Sequence, residues 1–133
     1  MSDLPLPFLS CEALVALARQ GNAKLPCHDC SELVCPGWES LPGGFDRSRL
    51  HRVGTLRRVG DEEPTVEEHH PAGTNAWSAD APIAPAFFPY NRSDVWQCVA
   101  CARPFLRYTE YGGYYEDERI RVLNPDLVTD ASV

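Results

Sequence analysis

Cys27 and Cys30 in the string LPCHDC, and Cys98 and Cys101 in WQCVAC, form two Cys-x-x-Cys pairs. A two-residue spacer lets both sulfurs of a pair turn toward one ion, and two such pairs complete a tetrahedral shell of four thiolates. Zinc is the metal this pattern predicts. A closed shell of sulfur holds a fold together and leaves no coordination position for a substrate. Cys35, five residues beyond Cys30, and His28 inside the first pair are alternative ligands for a local mixed site. Cys11 sits at the start of an apolar stretch, where a lone thiol reads as a small hydrophobe.

Other reactive groupings are sparse. Pro26-Cys27-His28-Asp29-Cys30 matches half of a zinc deaminase signature, but no histidine precedes His28, so the H-x-E half is missing. Neither Cys pair opens a helix within a βαβ unit, as a thioredoxin-like site requires. HExxH, G-x-S-x-G and a glycine-rich phosphate loop are absent from the sequence. Glu67, Glu68, His69 and His70 are the residues an open, hydrolytic divalent site would use. Adjacent histidines on an extended chain point to opposite sides, which favours a polar loop.

The chain has 133 residues, 44% hydrophobic and 23% charged, a size that fits a single domain with a modest core over residues 1–133. No apolar run reaches a membrane span, and the first residues lack the pattern of a secretory signal. A cytoplasmic location follows as an expectation, and in a reducing compartment clustered cysteines point to metal rather than disulfides. Among twelve basic residues only Lys24 is lysine, in a chain rich in Ala, Pro and Gly, a bias that suggests a bacterial genome of high GC content.

The net charge is −7. Residues 1–60 carry seven basic and six acidic side chains and residues 61–133 carry five and thirteen. That balance disfavours nucleic acid, whose recognition needs clustered cations. The local exception is Arg47, Arg49, His51, Arg52, Arg57 and Arg58, followed by Asp61, Glu62, Glu63, Glu67 and Glu68. These read as mutually neutralising faces, with a partner-binding patch as the alternative.

The elements that must position the cysteines come next. Ser10 is an N-cap, Leu9 and Leu14 form a hydrophobic staple, Leu14, Leu17 and Ala18 share a face, and Gly21-Asn22 stops the helix. Residues 24–45 read as loop, and 48–59 as a strand. The proline-rich stretch from His69 to Arg92 should wrap the surface, anchored by Trp77, Phe87, Phe88 and Tyr90. VWQCVA reads as a strand entering a metal knuckle, and FLRYTEYGGYYEDERIRVL as two strands around Gly112-Gly113, where positive φ is tolerated. The fold class is therefore α+β, mainly antiparallel strands with one N-terminal helix and a zinc-ribbon-like C-terminal hairpin.

Residues Trp96 to Tyr115 resemble a zinc ribbon in their spacing. Over residues 85–125 the chain is similar to a group of uncharacterised small bacterial proteins with a PYNR, VW-C-x-x-C, FLRYTE and GGYY signature. The resemblance implies a structural metal. The distance to the first Cys pair departs from a compact ribbon, which keeps its two knuckles close.

Three functions are compatible with these residues. One is a non-catalytic module that presents Tyr108, Tyr111, Tyr114 and Tyr115, among Glu110, Glu116, Asp117 and Glu118, to a protein with a basic surface. An immunity or inhibitor protein covering a basic toxin or nuclease is its sharper form. The second is a metal-dependent enzyme using His69 and His70. The third is a nucleic-acid-associated zinc protein using Arg47 to Arg58.

Overall fold

A computed structural model describes residues 6–22, 27–58, 60 and 63–132. Lys24, Pro26, Val59, Asp61 and Glu62 lie outside the described residues.

Helix α1, Cys11–Asn22, begins where the sequence predicts. The Ser10 hydroxyl accepts from the Ala13 N–H at 3.2 Å, which satisfies one of the donors that a helix start leaves open. Leu14 and Ala18 are fully buried, with Leu17 packed beside them. At the other end Gly21 is buried, and a Cβ there would lie 2.3 Å from the Ala102 carbonyl oxygen. The helix end thus presses directly on the turn that carries the second Cys pair, a contact only glycine permits.

Among the described residues, five strands form one antiparallel sheet in the order β1-β5-β4-β3-β2. They are β1 (Glu39–Ser40), β2 (Leu50–Thr55), β3 (Asp94–Cys98), β4 (Pro104–Tyr111) and β5 (Glu116–Val122). β4 and β5 pair continuously from Phe105 opposite Val122 to Tyr111 opposite Glu116. Neither glycine of the connecting turn has a positive φ. A Cβ on Gly112 would fall 2.2 Å from the exposed Tyr115 ring, so any larger residue there displaces that ring.

Side chains alternate across a strand, so each face has its own core. On one face Leu50, Cys98, Phe105 and Ile120 pack with Cys30, Leu33, Cys35, Leu41 and Phe45 from the 27–45 loop. On the other Val95, Leu106 and Tyr108 pack with Leu14, Ala18, Trp38, Ile83 and Tyr90.

The proline-rich stretch differs from its sequence reading. Ala81, Ile83 and Ala84 are buried at 1% exposure or less, so this segment is core and not wrapping. Its backbone finds partners in the C-terminal segment: Ile83 N–H donates to Leu127 O, and Thr129 N–H to Ile83 O. Phe87 and Tyr90 are buried as anchors, whereas Trp77 is 54% exposed.

Arg121 explains how that segment is held. Its side chain is fully buried, donating to the carbonyls of Pro36 at 3.0 Å, Ala81 at 2.7 Å and Ala79 at 3.3 Å, and to the Tyr90 hydroxyl. One guanidinium with five donors joins the 36–38 turn to the 79–81 turn.

Candidate metal centre

Each Cys pair lies in a hydrogen-bonded turn. Leu33 N–H donates to Cys30 O at 3.0 Å in the first. In the second, which follows β3, Ala102 N–H donates to Cys98 O at 2.8 Å and Cys98 N–H to Arg103 O at 3.0 Å. Arg103 N–H points at the Cys101 sulfur, 3.4 Å away, as a donor does toward a thiolate. Ala102 takes a φ of 66°, a left-handed conformation that costs an alanine about 1 kcal/mol and lets the chain reverse into β4. Arg49 ties the two turns together: its NH1 donates to Asp29 O at 3.2 Å, and its carbonyl accepts from Val99 N–H at 2.9 Å.

The four sulfurs of Cys27, Cys30, Cys98 and Cys101 lie within 4.8 Å of one another. The contacts between turns, Cys27 to Cys98 and Cys30 to Cys101, are both 3.7 Å. Disulfides would need about 2.05 Å, and all six cysteines are free. A tetrahedron of sulfurs about 2.3 Å from a central ion has edges of about 3.8 Å. The cluster has that size, so its residues fit a closed four-thiolate metal site.

The electrostatics agree. Burial, reinforced by the neighbouring sulfurs, pushes the Cys30 thiol far above its ordinary range, and burial also raises Cys101. The Cys27 thiol is drawn down to about 7, chiefly by the Cys30 backbone N–H. A bound dication would offset the burial of Cys30 and Cys101 by stabilising their thiolates.

Cys35 is not part of the cluster. It is buried at 3%, its thiol faces the Leu33 carbonyl at 3.7 Å, and burial pushes it up to about 12, the behaviour of a core residue. His28 is exposed. The Cys11 thiol is also raised by burial and lies 3.8 Å from Asp130 Oδ1. His69 stacks on Phe87 at 5.0 Å while His70 Nε2 contacts Glu68 Oε1 at 2.8 Å, so the two rings serve separate neighbours. Among the described residues, only the four cysteines form a group with metal-ligand geometry.

The arginines of the basic segment reach carboxylates far along the chain. Arg47 pairs with Glu118, Arg52 and Arg57 with Asp94, and Arg49 with Glu32. Tyr108 is buried, while Tyr111, Tyr114 and Tyr115 are exposed. The sequence reading missed Arg121 and the ring cluster around Tyr108, neither of which carries a local motif.

The chain matches no family model, no curated protein and no solved structure. No helix among the described residues is long and apolar enough to cross a membrane.

Proposed function

We propose that the protein is a zinc-fastened, non-catalytic protein-binding module whose β4–β5 hairpin tip is the contact surface. The observation that carries this reading is the exposure of three tyrosines at that tip: Tyr111 at 73%, Tyr114 at 105% and Tyr115 at 58%. Tyrosine offers a large rigid contact area with a polar end, and exposed clusters of such rings belong to interfaces. Long strand pairing fixes the hairpin and sets the exposed Glu116 directly opposite Tyr111, while Glu110 and Asp117 behind them share Arg119. A partner with a basic surface suits it, and an immunity- or inhibitor-type role against a basic cleft follows from rapid, charge-steered association. The resemblance to uncharacterised zinc-ribbon-like bacterial proteins belongs to this proposal.

Zinc is the metal in this reading, because an all-sulfur tetrahedron suits it and it fastens a fold without redox chemistry. The ion pairs of Arg47, Arg49, Arg52 and Arg57 leave few free cations in that segment, which weighs against nucleic acid. The separate neighbours of His69 and His70 weigh against a hydrolytic site.

A photoreactive residue at the exposed position Glu116 tests the partner reading. Cross-linking to a partner should saturate, weaken with salt, and vanish when Tyr111, Tyr114 and Tyr115 are all replaced by alanine. Capture that is indifferent to the triple substitution would contradict it.

A further inference from the structure

On the helix side of the sheet, Trp38, Trp77, Phe88 and Tyr108 line a cavity of ≈ 240 Å³ together with Glu68 and Glu110. Tyr108 meets Trp38 edge to face, with centroids 4.8 Å apart and planes at 85°. Phe88 meets Tyr108 at 6.2 Å and 73°. Rings set at steep angles form the walls of a box, and the negative faces of aromatic rings attract cations. The protein demonstrates this on one wall, where the Arg119 guanidinium carbon lies 4.5 Å from the Trp77 ring centroid. Arg119 is itself engaged by Asp117 at 3.2 Å and Glu110 at 3.9 Å. Arg119 also lines the cavity, and the two lining carboxylates, Glu68 and Glu110, outweigh its one charge and leave the lining negative.

The box is also pre-formed. Trp77 N–H donates to Asn75 Oδ1, and Asn75 N–H donates to Ser78 Oγ, both at 2.9 Å, closing the turn that carries the ring. A Cβ on Gly37 would lie 2.5 Å from the Trp77 carbonyl oxygen, so this turn rests on the 36–38 turn that carries Trp38. Arg121 bonds the 36–38 turn and the 79–81 turn that follows the Trp77 turn. An exposed tryptophan held this firmly beside three other rings is arranged as a wall, and a wall of this kind has a use once a ligand fills the space.

We infer that this cavity binds an alkylated ammonium cation, about the size of a trimethylammonium group. Alkylation favours the site because methyl groups meet the rings while the weakly hydrated charge meets their faces and the carboxylates. The cation's source is either a methylated lysine side chain on a protein or a free quaternary ammonium compound. The protein source rests on the partner reading above; the cavity itself does not.

The test is a titration with tetramethylammonium chloride against sodium chloride of equal strength, following the indole N–H resonances. Trp77 and Trp38 should shift saturably, and Trp96, on the opposite face of the sheet, should not. Trp77→Ala, at an exposed position, should keep the circular dichroism spectrum and weaken binding by about tenfold or more. Glu110→Gln should weaken it less. A trimethyllysine peptide binding at least about tenfold tighter than tetramethylammonium would assign the cation to a partner protein, and equal affinity would assign it to a free compound. The inference is overturned if no probe gives a saturable shift, if sodium chloride reproduces the shifts, or if Trp77→Ala leaves them unchanged. Loss of cross-linking at the tyrosine tip with the indole shifts intact would remove the partner reading alone.

Discussion

On one face of the sheet four sulfurs from two distant turns converge on a point where a metal dication fits, and on the other a single buried guanidinium, Arg121, draws three carbonyls and a hydroxyl together. Both devices join segments far apart in the chain: residues 27–30 to 98–101 in the first case, residues 36 and 79–81 to β5 in the second. They differ in what they require. The sulfur cluster has the size of a four-thiolate site and would be completed by an ion from outside. Arg121 carries its own charge and is satisfied by neutral acceptors, a burial that is tolerable because several donors are met. The metal face should therefore respond to chelators and the arginine face only to substitution.

The comparison is broken most severely by Cys98→Ser. Structural zinc contributes on the order of 10 kcal/mol, comparable to the roughly 5–15 kcal/mol total stability of a small domain. The variant should lose its cooperative melting transition, as followed by calorimetry. Unchanged melting and metal content would remove Cys98 from the ligand set.

Arg121→Met comes next. It strands buried carbonyls and should cost about 3 kcal/mol in urea unfolding while leaving the metal content intact. Faster amide exchange in residues 75–84 would accompany it. Loss of metal from this variant would mean that the two faces are not separable. Cys35→Ala sharpens the boundary of the metal face: a cost of about 1 kcal/mol is expected, with full metal occupancy by elemental analysis.

Glu118→Gln should have the smallest effect. Glu118 accepts from Arg47 Nε at 2.8 Å and from Arg107 at 2.6 Å, and these bonds, that to Arg47 foremost, hold its carboxyl below the usual glutamate value. A lowered folded-state value means stability that is complete above the ordinary pKa of about 4.3 and fades as pH falls through the folded value. Glu118 is one-third exposed, so the loss should stay under about 1 kcal/mol and vanish in acid. Melting curves of the two proteins from pH 7 down to pH 3 should converge.

The metal face was legible because spacing encodes it. Two Cys-x-x-Cys pairs specify both the four sulfurs that converge and the fact that distant segments must meet. Ser10, Leu14 and Ala18 specify the helix, and GG between apolar runs specifies the hairpin. Arg121 was not legible. In the run ERIRV, alternation assigns Ile120 and Val122 inward and the arginines to solvent, an inference that holds only for a sheet covered on one face. This sheet is covered on both, by elements whose tertiary placement no local pattern states. The same reason hid Ala81, Ile83 and Ala84: a proline-rich stretch looks like surface until a buried donor satisfies its carbonyls. The charge imbalance between the halves has a tertiary explanation too. Arg47, Arg52 and Arg57 meet Glu118 and Asp94 across the fold, which pairs part of the acidic half with the basic segment.

The most direct measurement is native mass spectrometry of freshly purified protein, before and after chelation, with circular dichroism on the same samples. One zinc per chain, with loss of folded structure when it is removed, is the predicted result. A chain that carries no metal, or that gives up its metal and keeps its fold, would contradict the claim that the four cysteines fasten this protein.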